Sequence, residues 1–132
     1  MFKKYLKNQK GLTLIELLAV IVILGIIATI AVPAIGNVVS KTQEKANYTE
    51  AQQIIDSARL YITSENPAFT DGALTLTNGT TAFQPYYDKA GTFSLTVSKA
   101  ANGKLSFKYT AFQDIAIGAD GLTEGDIATK LK

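Results

Sequence analysis

The stretch from Leu12 to Ile35, LTLIELLAVIVILGIIATIAVPAI, decides the architecture of this chain. It is 24 residues long and carries one charge, Glu16. As a helix it reaches ~36 Å, enough for a hydrocarbon core of ~30 Å. Its many Ile and Val residues favour strand in water. In lipid only a helix satisfies its own backbone, so a helix is expected. Gly25, Pro33 and Gly36 interrupt the run. Pro33 removes the amide donor to the Thr29 carbonyl, and Gly25 adds backbone freedom. Bending or local melting is therefore easiest between Gly25 and Pro33.

Before this stretch, residues 1–11 carry Lys3, Lys4, Lys7 and Lys10 and no acid, a charge of +4. Residues 12–132 then hold nine basic and eleven acidic side chains, so the net charge of +2 comes from the N-terminal arm. A lysine-rich flank before an apolar run reads as a cytoplasmic topology signal. The whole chain has 132 residues, 47% hydrophobic and 18% charged, and no His or Cys. That excludes His-based acid/base catalysis, Ser-His-Asp and Cys-His nucleophiles, zinc fingers, Fe–S clusters and disulfide frameworks. No enzyme activity, catalytic residue, cofactor or metal is expected.

Past Pro33 the pattern becomes amphipathic. Ala51, Ile54, Ile55, Ala58, Tyr61 and Ile62 recur at three- and four-residue steps and share a face, while Lys41, Glu44, Lys45, Glu50, Asp56 and Arg59 fall mostly off it. Ile35, Val38 and Val39 start a similar stripe earlier. Glu65-Asn66-Pro67 predicts the helix end. A helix over residues 12–64 is roughly 80 Å long, too long to lie wholly in a globule.

The remainder reads as strands. Leu74 and Leu76 alternate with Thr before Asn78-Gly79; Phe93, Leu95 and Val97 alternate with Ser and Thr; Leu105, Phe107 and Tyr109 alternate with polar residues. Ala101-Asn102-Gly103 between the last two runs predicts a hairpin with positive φ at its turn. These apolar faces are expected to pack on the Ile54/Ile55/Ala58/Ile62 stripe. Thr123, with Asp126 three residues on, is a helix-start signal, although an ordered loop fits that tail equally. The late acids Asp114, Asp120, Glu124 and Asp126 match no calcium-loop spacing and read as solvated surface.

The segment Lys10–Leu18, KGLTLIELL, strongly resembles the cleavage and methylation signal of type IV pilins and the related pseudopilins. That signal is a basic leader, a Gly, a cut, an apolar residue, then Thr-Leu and a Glu at the fifth mature position. A cut between Gly11 and Leu12 puts Glu16 at that fifth position. Pro33 and Gly25 then fall where the family has Pro and Gly. The first mature residue, usually Phe, is Leu12 here. Many Gram-negative members also carry a C-terminal disulfide loop, which a chain without cysteine cannot form. That points to a Gram-positive source or to another way of pinning the tail.

The resemblance implies an α+β fold: a long N-terminal helix, apolar and then amphipathic, packed on a C-terminal antiparallel sheet. It divides the chain into a prepilin leader at 1–11, a membrane or filament-core half-helix at 12–35, an amphipathic half-helix at 36–64 and a β-rich domain at 65–132. It implies a structural subunit cleaved at Gly11/Leu12 and methylated at Leu12, with Glu16, Thr13, Gly25 and Pro33 serving assembly. The subunit is a single-pass cell-membrane protein first and part of an extracellular pilus afterwards. Implied partners are further copies of the chain, prepilin peptidase, the membrane assembly platform and minor pilins; a nucleic-acid partner is left open. The alternative is a pseudopilin of a competence or type II secretion system. A secretory signal peptide fits poorly, because the run is too long, contains Glu16 and has Pro33 just past any small-residue cut site.

Overall fold

The computed structural model describes residues 2–89, 91–113 and 115–132, and side chains from residue 13 onward. Helix α1 spans Phe2–Glu65. It ends where expected, with Asn66 at φ 46 just before Pro67 and its amide donating to the Ile62 carbonyl at 3.0 Å. It starts at Phe2, ahead of the expected start at Leu12, because the arm has no Pro and only one Gly, Gly11, whose cost of about 1 kcal/mol a growing helix tolerates.

Four strands follow: β1 Ala73–Thr77, β2 Phe93–Lys99, β3 Leu105–Phe112 and β4 Leu122–Thr123. They form an antiparallel meander in the order β1-β2-β3-β4. Helix α2, Glu124–Lys130, closes the chain. The fold is thus the expected α+β arrangement of a long helix and an antiparallel sheet.

Two compact units divide between Lys41 and Thr42. The unit from Thr42 holds the core. Tyr48, Ala51, Ile54, Ile55, Ala58, Tyr61 and Ile62 from α1 meet Leu76, Leu95, Val97, Phe107, Tyr109 and Phe112 from the sheet. Each large side chain buried here contributes ~1.5–3 kcal/mol. Tyr109 Oη, itself buried, donates to the Ala51 carbonyl at 2.7 Å.

Three local features differ from the simple alternation. Ser94 faces Ala111 while Leu95 faces Tyr109, so Thr110 is an extra residue, a β-bulge. The bulge shifts the parity of β3 and lets Phe112 join Phe107 and Tyr109 in the core. The hairpin turn places Gly103, but not Asn102, at positive φ. The loop closes through Gly103 N to Ala100 O at 2.8 Å and Ala100 N to Lys104 O at 2.9 Å, so Asn102 keeps an ordinary φ and its side chain caps Lys104 N at 3.0 Å. Finally, the connection from β1 to β2 is long, and its residues 78–89 are strapped to α1. Tyr86 Oη donates to Glu65 at 2.8 Å, Tyr87 Oη donates to Glu50, and Lys89 Nζ reaches Gln53 at 3.1 Å. Phe83 in this loop is buried edge-on to Tyr61 and Phe93.

The tail is an ordered helix, not a loop. Thr123 and Asp126 form a reciprocal capping box, and the two hydrogen bonds from the Thr123 hydroxyl and amide hold the Asp126 carboxyl below its usual range. Ile127 is fully buried. Arg59 pairs with both Glu124 oxygens at 2.6 Å while its guanidinium lies 4.6 Å from the Phe107 ring centre. A cysteine-free chain thus pins its tail with a capped helix, a buried Ile and a bidentate ion pair.

Candidate assembly surface

The N-terminal unit is described by its helix alone. Along it the large apolar side chains face outward: Leu14 is 67% exposed, Ile30 73% and Val39 61%, with Ile15, Leu17, Leu18, Val22, Leu24 and Ile27 between them. The stretch is long and apolar enough to cross a membrane, and none of it is buried within the chain. A helix that is hydrophobic all round is covered by lipid or by protein.

Glu16 is exposed within this apolar surface. An ionised carboxylate at membrane depth costs ~2.5–3.5 kcal/mol on insertion scales, so it calls for a positive partner. The Gly11–Leu12 peptide lies in α1; the side chain of Leu12 is outside the described ones. Thr13 and Pro33 are exposed, and a side chain at Gly25 would meet nothing within 4 Å. These residues are strung along one helix and do not converge on a pocket. What Thr13, Glu16, Gly25 and Pro33 share is exposure on the outward surface of that helix.

Two hydroxyls on this surface escaped the sequence reading. Thr29 Oγ1 donates to the Gly25 carbonyl at 2.7 Å, and Ser40 Oγ donates to the Gly36 carbonyl at 3.1 Å. Their signal was a hydroxyl residue four positions after a glycine. Each hydroxyl is satisfied on its own helix, so it enters an apolar setting at little cost. At Thr29 this sits beside a defect, since Pro33 supplies no amide for the Thr29 carbonyl. The helix nevertheless runs unbroken through this segment. Of the late acids, Asp114 lies outside the described residues; Glu124 is taken by Arg59, and Asp126 by Thr123. Among the described residues no cluster of acidic side chains is placed to hold a metal ion.

The prokaryotic N-terminal methylation motif family matches residues 6–32, within the first half of α1. A type IV major alpha-pilin of Moraxella bovis is 30% identical over 129 residues, covering 92% of this chain and 72% of that protein. A fimbrial protein of Pseudomonas aeruginosa is 31% identical over 107 residues, covering 70% of each chain. The chain belongs to the type IV pilin family. As a pilin it is a structural subunit, and its apolar N-terminal helix fits a membrane-anchored precursor. No solved structure matches this pilin. A fimbrial protein of Moraxella nonliquefaciens matches over 85 residues at 36% identity, covering 62% of this pilin and 53% of that protein.

Proposed function

We propose that this pilin is made as a precursor, cut between Gly11 and Leu12 by prepilin peptidase, methylated on Leu12 and held in the cell membrane by its apolar helix. It is then polymerised through an assembly platform into a helical surface filament with further copies of itself. The observation that carries this reading is the uncovered apolar surface from Leu14 to Val39 with a lone carboxylate at Glu16. Moving such a helix from lipid to a bundle of identical helices changes apolar burial little. Close packing and polar pairing therefore set the register. Cleavage creates an α-ammonium on Leu12, and Glu16 of a neighbouring subunit is its natural counter-ion. Thr13 lies between the two, and Gly25 and Pro33 give the helix the freedom to adapt to its neighbours.

Gly11 suits the cut, because a peptidase needs an opened backbone there and glycine weakens a helix by about 1 kcal/mol. Mass spectrometry of sheared surface protein is expected to find a chain starting at methylated Leu12. A start at Met1 or at Val32 would overturn the cleavage reading. Glu16→Ala is expected to be cleaved normally yet to assemble poorly. Removing one partner of a buried pair costs ~3–5 kcal/mol for each added subunit. The measurement is the ratio of sheared filament to membrane-held subunit, and a parental ratio would refute the pairing.

A further inference from the structure

The chain contains two Asn-Gly pairs, Asn78-Gly79 and Asn102-Gly103, in surface turns of opposite geometry. We propose that Asn78 is a site of spontaneous deamidation, converted with time to a carboxylate, while Asn102 is protected by its own turn.

The chemistry requires a free main-chain nitrogen after the asparagine. The Gly79 nitrogen, on losing its proton, attacks Cγ of Asn78. A carbon–nitrogen bond forms, the side-chain amide bond breaks, and ammonia leaves. The resulting succinimide takes up water at one of its two carbonyls and opens to Asp or to isoAsp. Water is the only co-reactant, and nothing is oxidised or reduced.

The two turns treat this nitrogen differently. In the first, Thr80 N donates to Thr77 O at 3.0 Å, which makes Asn78 and Gly79 the two central residues. Among the described residues the Gly79 amide and the Asn78 side chain have no hydrogen-bond partner, and both residues are exposed. In the second, the glycine is the closing residue. Gly103 N donates to Ala100 O at 2.8 Å. The Asn102 side-chain oxygen meanwhile accepts from Lys104 N at 3.0 Å, which fixes the amide in the capping position. Reaction at Asn102 therefore requires two hydrogen bonds to break first, and reaction at Asn78 requires none.

The product lands in a defined place. Asn78 lines an open groove with Gln84, Pro85, Tyr87, Asp88 and Lys89. Deamidation adds a negative charge beside Asp88, and isoAsp also inserts a methylene into the Thr77–Thr80 turn.

The test is peptide mapping of the full chain, held in detergent at warm, mildly alkaline conditions, with Asp and isoAsp quantified separately at both positions. Asn78 is expected to convert roughly tenfold or more faster than Asn102 in the folded chain. In denaturant the two rates are expected to converge. Equal rates in the folded chain would overturn the proposal, as would a difference that persists unchanged in denaturant. Gly79→Ala supplies a second arm. Its Cβ would meet only Thr77 Oγ1, at 3.7 Å, and the position has no positive φ. The added methyl group crowds the attacking nitrogen, so the variant is expected to fold and to slow conversion of Asn78 strongly. Conversion at the parental rate would refute attack by that nitrogen.

Discussion

Tyr109 joins sheet to helix through one ring and one hydroxyl. The ring stands edge-on to Phe112 at 5.2 Å, and the hydroxyl donates to Ala51 O at 2.7 Å. Burial pushes its phenol well above the ordinary 10.0, with the charges of Tyr87 and Glu50 adding to the shift. Tyr87, buried in part and bonded to Glu50, is pushed the same way. A raised folded value favours the protonated form, so the stabilisation is complete below pH 10.0 and declines as the pH climbs toward the folded value. Tyr109→Phe is therefore expected to cost about 1 kcal/mol near neutrality. Above pH 10.0 the variant should lose stability less steeply than the parent, a difference that urea unfolding across pH would measure. Parallel curves would show that the phenol is not the titrating group. The alternation of Leu105, Phe107 and Tyr109 made this residue legible as part of a strand. Its partner was not legible, because Ala51 lies 58 positions away and local pattern carries no such information. Phe112 was hidden for another reason: the extra residue at Thr110 breaks the two-residue period on which strand reading depends.

At the scale of elements, the arginine–glutamate pair between α1 and α2 makes the tail a separable object. Arg59 and Glu124 are partly exposed, so the ion pair and the stacking on Phe107 together amount to roughly 1–2 kcal/mol. Arg59→Glu is expected to loosen α2, and the double swap Arg59→Glu with Glu124→Arg to restore part of the loss. Hydrogen exchange of the amides of Glu124–Lys130 reports it; a double variant no tighter than Arg59→Glu alone would assign the anchoring to Ile127. The start of α2 was readable because a capping box is a short-range pattern of Thr123 and Asp126. Strand β4 was not, since two residues have no period and are strand only by pairing with Lys108 and Tyr109. The strapped segment at 78–89 was equally invisible, because its order comes from Phe83, Tyr86 and Tyr87 meeting α1 and its neighbours across the chain. Helix α1 was readable almost throughout, because periodicity and Pro67 mark its face and its end. Gly121 illustrates the remaining gap. It sits at φ +76 where a Cβ would approach Tyr109 O within 2.8 Å, a demand set by β3 and not by its sequence neighbours.

For the whole molecule, the sequence shows the polarity split between apolar helix and mixed domain, and the structure sets the start of the core-bearing unit at Thr42. Among the described residues every buried hydrophobic side chain lies at Tyr48 or beyond. A chain beginning at Thr42 is accordingly expected to stay soluble and to unfold in a single cooperative transition, followed by circular dichroism. A broad, non-cooperative melt would show that the preceding helix is needed to organise the domain. The tyrosines are distributed in the same uneven way. The chain has no tryptophan and six tyrosines, of which only Tyr5 precedes Thr42, and it lies in the arm before Gly11. Tyr48, Tyr61, Tyr86, Tyr87 and Tyr109 all sit in or against the domain core. In a chain cut after Gly11, as proposed, every intrinsic chromophore that absorbs in the near ultraviolet belongs to the globular part, and the apolar helix is optically silent. Near-ultraviolet spectra of a fibre, a detergent micelle and a free domain are then directly comparable. A change among them reports altered packing of the domain, with no engineered label.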